Sequence, residues 1–373
     1  MTTGPIGQWG RPAARCLMVA IACGLLLQTG TAESVVPHRA AASGFPDQNV
    51  LNAVDAPGAD DAWAVGSSHV RAGLTTLVMH WDGRSWSKVS SPSPVTTGLI
   101  GSQLNGVSAR SPTDAWAVGT VGGAPLILHW DGAAWKRVKS SVNKGDLYGV
   151  HATSPTDAWA VGSGSAFNNK RALLMHWDGT SWTPSAVPAG TPALDGVSAL
   201  SGSAAWAVGS AGGRRTLALR WNGVGWKRVA SANPAGFDWL LGVSALSNGN
   251  VWAVGGANNA GSIVLHSAGA RWRTSAAPRV SSSAQLMSVS ARAARDVWAA
   301  GSAYPKTLVM HWNGHSWKRV PAPSPGGAGT GALLAGISAR TANDVWAVGD
   351  YGTRSGGAKV LILHWTGRRW RVA

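Results

Sequence analysis

One phrase recurs seven times along the chain and limits what it can fold into. It reads Asp-Ala-Trp-Ala-Val-Gly, a gap, then Leu-His-Trp-Asp-Gly-x-x-Trp, with small changes at each recurrence. The first Trp of each copy is Trp63, Trp116, Trp159, Trp206, Trp252, Trp298 and Trp346, spaced 43–53 residues apart. Self-similarity at this period signals a repeat architecture, in which each unit buries its apolar surface only against its neighbours. The copies are numbered here as units 1 to 7.

Unit 2 shows the strand pattern. Leu104 to Ala109 is a short run of small and apolar residues, and Ser111-Pro112-Thr113-Asp114 is a turn cluster. Ala115 to Gly119 reads as a second strand and Leu126 to Trp130 as a third, rich in β-formers. Asp131-Gly132 is expected to make a tight, two-residue hairpin, and Trp135 to Val138 a fourth strand. No segment keeps a helical period. The fold class expected is all-β: a seven-bladed β-propeller with four antiparallel strands per blade, spanning 51–373.

The small first strand suits a crowded axis. The fourth strand carries Lys88, Lys136-Arg137, Lys227-Arg228, Arg273, Lys318-Arg319 and Arg371. Cations on an exposed edge discourage other strands from pairing there, and the charges are read in that way. Of 22 Trp, seven fall on the second strand, six on the third and seven on the fourth. All three sets are read as blade-to-blade core. The third-strand His80, His129, His176, His266, His311 and His364 form a ladder, with Arg220 in unit 4. Each lies in a different unit and too far from the axis for a shared metal, so each is expected to hydrogen-bond a turn Asp of its own unit. No metal and no cofactor is implied.

The chain opens with Arg11 and Arg15, an apolar run from Cys16 to Leu27, and small residues at Gly30-Thr31-Ala32. That pattern is a secretory signal peptide over 1–32, cleaved after Ala32. Twelve apolar residues are too few to span a bilayer as a transmembrane anchor. Two alternatives are an uncleaved anchor and, from Ala20-Ile21-Ala22-Cys23, a lipidated Cys23. Residues 33–50 form a lead segment whose Val35-Val36-Pro37 matches the end of a fourth strand, and it is expected to seal the last blade. Both cysteines, Cys16 and Cys23, lie in the leader, so the mature chain holds no disulfide and no thiol nucleophile. The expected location is extracellular or at the cell envelope, as a monomer.

Removing Arg11 and Arg15 from 32 Lys+Arg leaves 30 against 16 Asp+Glu. A strongly basic exported protein is drawn to anionic partners: cell-wall polymer, acidic glycan or, non-specifically, nucleic acid. A glycosidase needs two carboxylates about the scissile bond. The mature chain has one Glu, Glu33, and most Asp sit in turns. Catalysis is therefore not expected. The alternative kept open is a carbohydrate-active hydrolase or lyase of sialidase-like type.

These motifs resemble the kelch type of propeller repeat over Leu51 to Ala373. Two features depart from it: Gly-Ser or Gly-Thr usually replaces its double Gly, and Trp replaces its usual Tyr before Asp. The Asp-Gly-x-x-Trp reversal is similar to the Asp-box of sialidase-like propellers, without the full Ser-x-Asp-x-Gly spacing. The chain also looks like secreted bacterial propellers. The resemblance implies the architecture, and such folds host unrelated activities.

In a four-stranded antiparallel blade, the first and third turns share one face. The second turn and the connection between blades share the other. The first pair barely varies among the seven units and the second pair varies in length and content. A binding face is expected on the variable side, where repeat proteins usually bind. The variable loops of that side are expected to hold its candidate residues: the aromatics Phe167, Phe237, Trp239, Tyr304 and Tyr351, with Arg71, Lys170, Arg171, Arg214, Arg215, Lys306 and Arg354. Cations beside rings suit an anionic polymer, a glycan or a protein partner.

Overall fold

In each unit, alternating Ala and Val or Trp along the second strand present one set of side chains to the preceding unit and one to the following unit. A sheet buried on both faces needs apolar residues on both. The computed structural model describes residues 48–70, 73–94, 101–164, 171–212, 214–246, 249–268, 271–326 and 329–373. The expected leader at 1–32, and the expected sealing segment up to residue 47, lie outside the described residues.

The described residues form twenty-eight strands, from β1 (Gln48–Gly58) to β28 (Trp370–Val372), and no helix long and apolar enough to cross a membrane. Units 2 to 6 each form a four-stranded antiparallel sheet with neighbours paired in chain order. Units 1 and 7 share an eight-stranded sheet, joined where Gln48 pairs in parallel with Ala358. The expected strands of unit 2 are present and longer at the inner positions: Ser102–Ser111, Asp114–Val121, Ala124–Trp130 and Trp135–Val138. The third turn is a correction. Trp130 pairs with Trp135, so the reversal takes four residues rather than two. Asp131 organises it by accepting from the N–H groups of Ala133 and Ala134 at 3.0 and 2.9 Å, and Gly132 supplies the positive φ of 91°.

The core lies between successive units. One cluster joins Trp63, Val65 and Val78 of unit 1 to Leu104, Ala117, Leu128 and Trp135 of unit 2. The same arrangement recurs around the molecule, and Trp346 of unit 7 packs with Leu51 and Ala64 of unit 1. Each second-strand Trp meets the Trp residues of the next unit. Trp116 lies 5.0 Å from Trp177 and 5.2 Å, edge-on, from Trp182. Trp346 meets Trp81 and Trp86 at 5.0 and 5.2 Å, so the last unit closes on the first. The sheets form a closed, propeller-like ring.

The three Trp sets differ in burial. The second-strand set is buried, and so is the fourth-strand set except Trp86, which is half-buried. The third-strand set is only half-buried, against the expectation of core. Its indole N–H groups donate to first-turn carbonyls at the surface, as in Trp130 to Pro112 O at 2.9 Å. That bond holds one edge of the ring toward water.

The His ladder is structural. His80, His129, His176, His311 and His364 bond Asp61, Asp114, Asp157, Asp296 and Asp344 at 2.7–2.9 Å through Nε2. His266 bonds Asn250 at 2.6 Å. Each His also lies on the second-strand Trp of its own unit, with centroids 3.9–4.3 Å apart. In unit 4 both partners change together: Ala204 stands in the Asp position, and Arg220 places its guanidinium 5.6 Å from the Trp206 ring. Burial works to raise the pKa of Asp114 and Asp344. The bonds from His129 and Arg110, and from His364 and Arg340, outweigh it and hold both carboxyls below the ordinary range.

Candidate functional site

The two faces follow from the turn contacts. On one, the third turn abuts the first turn in the six units that carry a third-strand Trp, and those indoles tie the two turns together. On the other, second turns bond to the connections between units. Gly145 N donates to Gly123 O at 2.8 Å, Ala172 N to Thr191 O at 2.9 Å, and Ala332 N to Pro305 O at 2.9 Å. The variable segments therefore gather on one side of the ring.

The candidate residues fall into three groups. Arg71, Phe167 and Lys170 lie outside the described residues. Arg171, Arg214, Arg215, Phe237, Tyr304, Lys306 and Arg354 are exposed. Trp239 and Tyr351 are half-buried and belong to strands rather than loops. Trp239 lies in the first strand of unit 5, Asp238–Ala245, and packs beside Leu241, Met287 and Ala335. Tyr351 lies in the second strand of unit 7, Asp344–Gly352, and packs on the cluster shared with unit 6. Both rings extend the core. Arg215 and Lys306 also lie in strands, at the starts of Arg215–Trp221 and Lys306–Trp312, so four of the candidates are corrected from loops to strands.

The most complete arrangement is at the seam of units 4 and 5. The Arg214 guanidinium lies 5.2 Å from the centroid of the Phe237 ring, which is 45% exposed. The loop is fixed from beneath. Asp238, fully buried, accepts from Ala235 N and Gly236 N at 3.2 and 3.1 Å, and its own N–H donates to Arg214 O at 3.3 Å. The ring and the cation are thus presented on a tied backbone, with Arg215 next in sequence. A second arrangement lies at units 6 and 7. There Tyr304, 60% exposed, donates its hydroxyl to Gly329 O at 3.2 Å. Its ring covers Gly331, where an added Cβ would come within 2.6 Å of it.

The axis holds a feature that sequence reading missed. Seven first-strand side chains each accept from a backbone N–H of the next unit, and the circle closes. Asp55 accepts from Ala109, Ser108 from Ala152, His151 from Ala199 and Ser198 from Ala245. Ser244 accepts from Ala291, Ser290 from Ala339 and Ser338 from Ala56, all seven bonds at 2.9–3.3 Å. They line a central channel of about 200 Å³. The available signal was a Ser between Val or Ile and Ala in five units, with Asp55 and His151 in the other two. Burial pushes the His151 imidazole down to about 4, in keeping with an Nδ1 that accepts a hydrogen bond. Burial also raises Asp55, against the bonds it receives from Ala109, Ser338 and Ala56.

Asp350, near the variable face, stands where five other units place the small hydroxyl residues Ser67, Thr120, Ser163, Ser210 and Ser302. Burial pushes its carboxyl up to about 7. The charged form is therefore disfavoured in the folded state. Stability is greatest below the ordinary carboxyl pKa and declines as pH rises toward 7. Asp350→Ser is expected to stabilise the protein by about 1–2 kcal/mol at pH 8 and by almost nothing at pH 4. Urea unfolding at both pH values checks this, and an equal effect at both would reject it.

No protein-family model matches the sequence, and a search of curated proteins finds no match. Solved structures do match in fold. YCF48 bound to a D1 peptide aligns with a TM-score of 0.57 at 17% identity, covering 86% of this chain and 93% of that one. The WD40 repeats of RRP9 align with a TM-score of 0.55 at 11% identity, covering 80% and 86%. The fucose-recognising, six-bladed lectin of Aleuria aurantia aligns with a TM-score of 0.50 at 11% identity, covering 74% and 95%. At these identities the likeness is one of fold.

Proposed function

We propose that the chain is an exported seven-bladed propeller that binds without catalysis, through the face that carries its second turns and connections. The eight-stranded sheet is then the first and last blades, sharing one parallel pairing. The partner class is an anionic envelope polymer or glycan. The observation that carries the reading is the Arg214–Phe237 pair, an exposed ring beneath a cation on a backbone fixed by Asp238. An anionic sugar polymer offers charge to the guanidinium and a C–H face to the ring. The fold likeness to a peptide-bound protein and to a lectin supports binding as the use of this architecture. The leader and the net positive charge support export to the anionic envelope.

The test is retention of the mature protein on purified cell-wall polysaccharide across a salt series. Arg214→Ala/Arg215→Ala/Arg354→Ala is expected to lose at least about tenfold in affinity, as does wild type when salt is raised well above physiological strength. Undiminished, salt-independent retention of the triple variant would remove the loop face from consideration.

A further inference from the structure

The outer rim divides into two parts of different charge. Consider the fourth-strand residue that pairs with the third-strand His position. In units 1 to 3 it is Ser87, Lys136 and Thr183. In units 4 to 7 it is Lys227, Arg273, Lys318 and Arg371. All four are exposed. The third turn differs in the same way. Units 1 to 3 begin it with Asp82, Asp131 and Asp178, whereas Asn222, Asn313 and Thr366 begin it in units 4, 6 and 7. The one cation of this column in units 1 to 3 is compensated, because Lys136 Nζ lies 2.5 Å from Asp131. From the third turn through the fourth strand, units 4 to 7 contain no Asp or Glu at all.

The uncompensated column is continuous from blade to blade. Trp272 N of unit 5 donates to Ala230 O, just past the fourth strand of unit 4, at 3.3 Å. Trp317 Nε1 of unit 6 donates to Ser275 Oγ, just past the fourth strand of unit 5, at 3.2 Å. Trp370 of unit 7 packs in a cluster with Val320 and Ala322, which follow the fourth strand of unit 6. Carboxylates behind the column are already engaged: Asp296 by His311 and Arg292, Asp344 by His364 and Arg340. In unit 4 the column gains Arg220 opposite Lys227, with Ala204 in place of the Asp.

We propose that the rim of units 4 to 7 is a second binding surface, for a linear phosphate-bearing polyanion that lies along the curve and crosses successive blades. It is separate from the loop face and does not depend on that reading. Edge protection alone does not account for the pattern, because unit 3 guards its edge with Thr183-Pro184 and no cation. Protection also gives no reason to exclude carboxylates from four consecutive units. A membrane fits less well, because the column follows the convex circumference of a ring, which a flat bilayer touches only in part. A flexible chain with charge at regular intervals can follow that curve and release counterions at each blade.

The probe is long-chain inorganic polyphosphate, titrated against the mature protein at several salt concentrations. Lys227→Gln/Arg273→Gln/Lys318→Gln/Arg371→Gln is compared with a variant of equal charge loss, Lys88→Gln/Lys136→Gln/Arg137→Gln/Lys139→Gln. The first is expected to weaken binding more than about tenfold at about 0.15 M salt and to lower the log–log salt slope by about 3, roughly 0.7 for each cation removed. The second is expected to change affinity less than about threefold, and Arg214→Ala/Arg215→Ala/Arg354→Ala to leave it near wild type. Anionic phosphatidylglycerol vesicles should bind more weakly at equal phosphate. Equal losses in the two charge-matched variants would reduce the effect to net charge and overturn the proposal. So would full binding by the first variant with an unchanged melting temperature, or tighter binding to vesicles.

Discussion

Gly119→Ala is expected to destabilise the fold severely, although it adds one methyl group. A Cβ at Gly119 would lie 1.9 Å from the carbonyl oxygen of Gln103 and 2.8 Å from the Leu104 Cα. Those are backbone atoms of the first strand of the same unit, at the bulge where the register shifts between Leu104 and Gly106. The bulge seats Leu104, which is wholly buried in the seam, so the strand cannot retreat without emptying the core. The same glycine in all seven units faces a carbonyl of the first strand, or in unit 4 of Ala193 just before it, at 1.9–2.5 Å. The expected cost is at least about 3 kcal/mol, the upper end for overpacking. Gly225→Ala is the control: nothing lies within 4 Å of the added Cβ, and stability should change by less than about 0.5 kcal/mol. Chemical denaturation of the two variants checks the contrast, and a native-like midpoint for Gly119→Ala would show that the bulge is soft.

The second large effect concerns the seams. Trp298→Ala is expected to cost about 3–5 kcal/mol. Its ring meets His311 at 4.2 Å within unit 6, and Trp365 and Trp370 of unit 7 at 5.2 and 5.7 Å. Trp206 sits at the equivalent place but has fewer ring partners. Its His is replaced by Arg220, and Ser267 stands where unit 5 would carry a third-strand Trp. It keeps the edge-on contact with Trp272 at 5.4 Å. Each aromatic pair adds about 0.5–1.5 kcal/mol beyond burial, so Trp206→Ala should cost at least about 1 kcal/mol less than Trp298→Ala. Equal losses would mean that the rings act through area alone.

The sequence disclosed most of what is local or repeated. Strand order, the small first strand and the His-to-Asp bonds follow from residue types at fixed offsets. The missed features need a second strand or a neighbouring unit. Gly119 reads as a strand end until the bulge beneath it is seen. Ser108 reads as merely small until its hydroxyl is placed against Ala152 N of the next unit. Trp239 and Tyr351 break the repeat in sequence, which suggested loops. Both extend strands past the repeated phrase and cover the core near the variable face. Among the candidate site residues, exposure separates Arg214 and Phe237 from those two rings, and the periodic pattern carries no information about it.

On the proposed reading, the buried repeat builds the ring, the variable face binds the envelope polymer, and the cationic rim is a surface apart from both. Cell-wall polysaccharide retention and melting temperature, measured together on two variants, test that division most directly. His311→Ala should lower the melting temperature by several degrees, because it removes the bond to Asp296 and the packing on Trp298, yet it should retain wild-type affinity while folded. Arg214→Ala/Arg215→Ala/Arg354→Ala should melt as wild type does and lose at least about tenfold in affinity. The opposite result, with binding lost in His311→Ala at temperatures where it is folded and kept in the triple variant, would place function in the repeat and contradict that division.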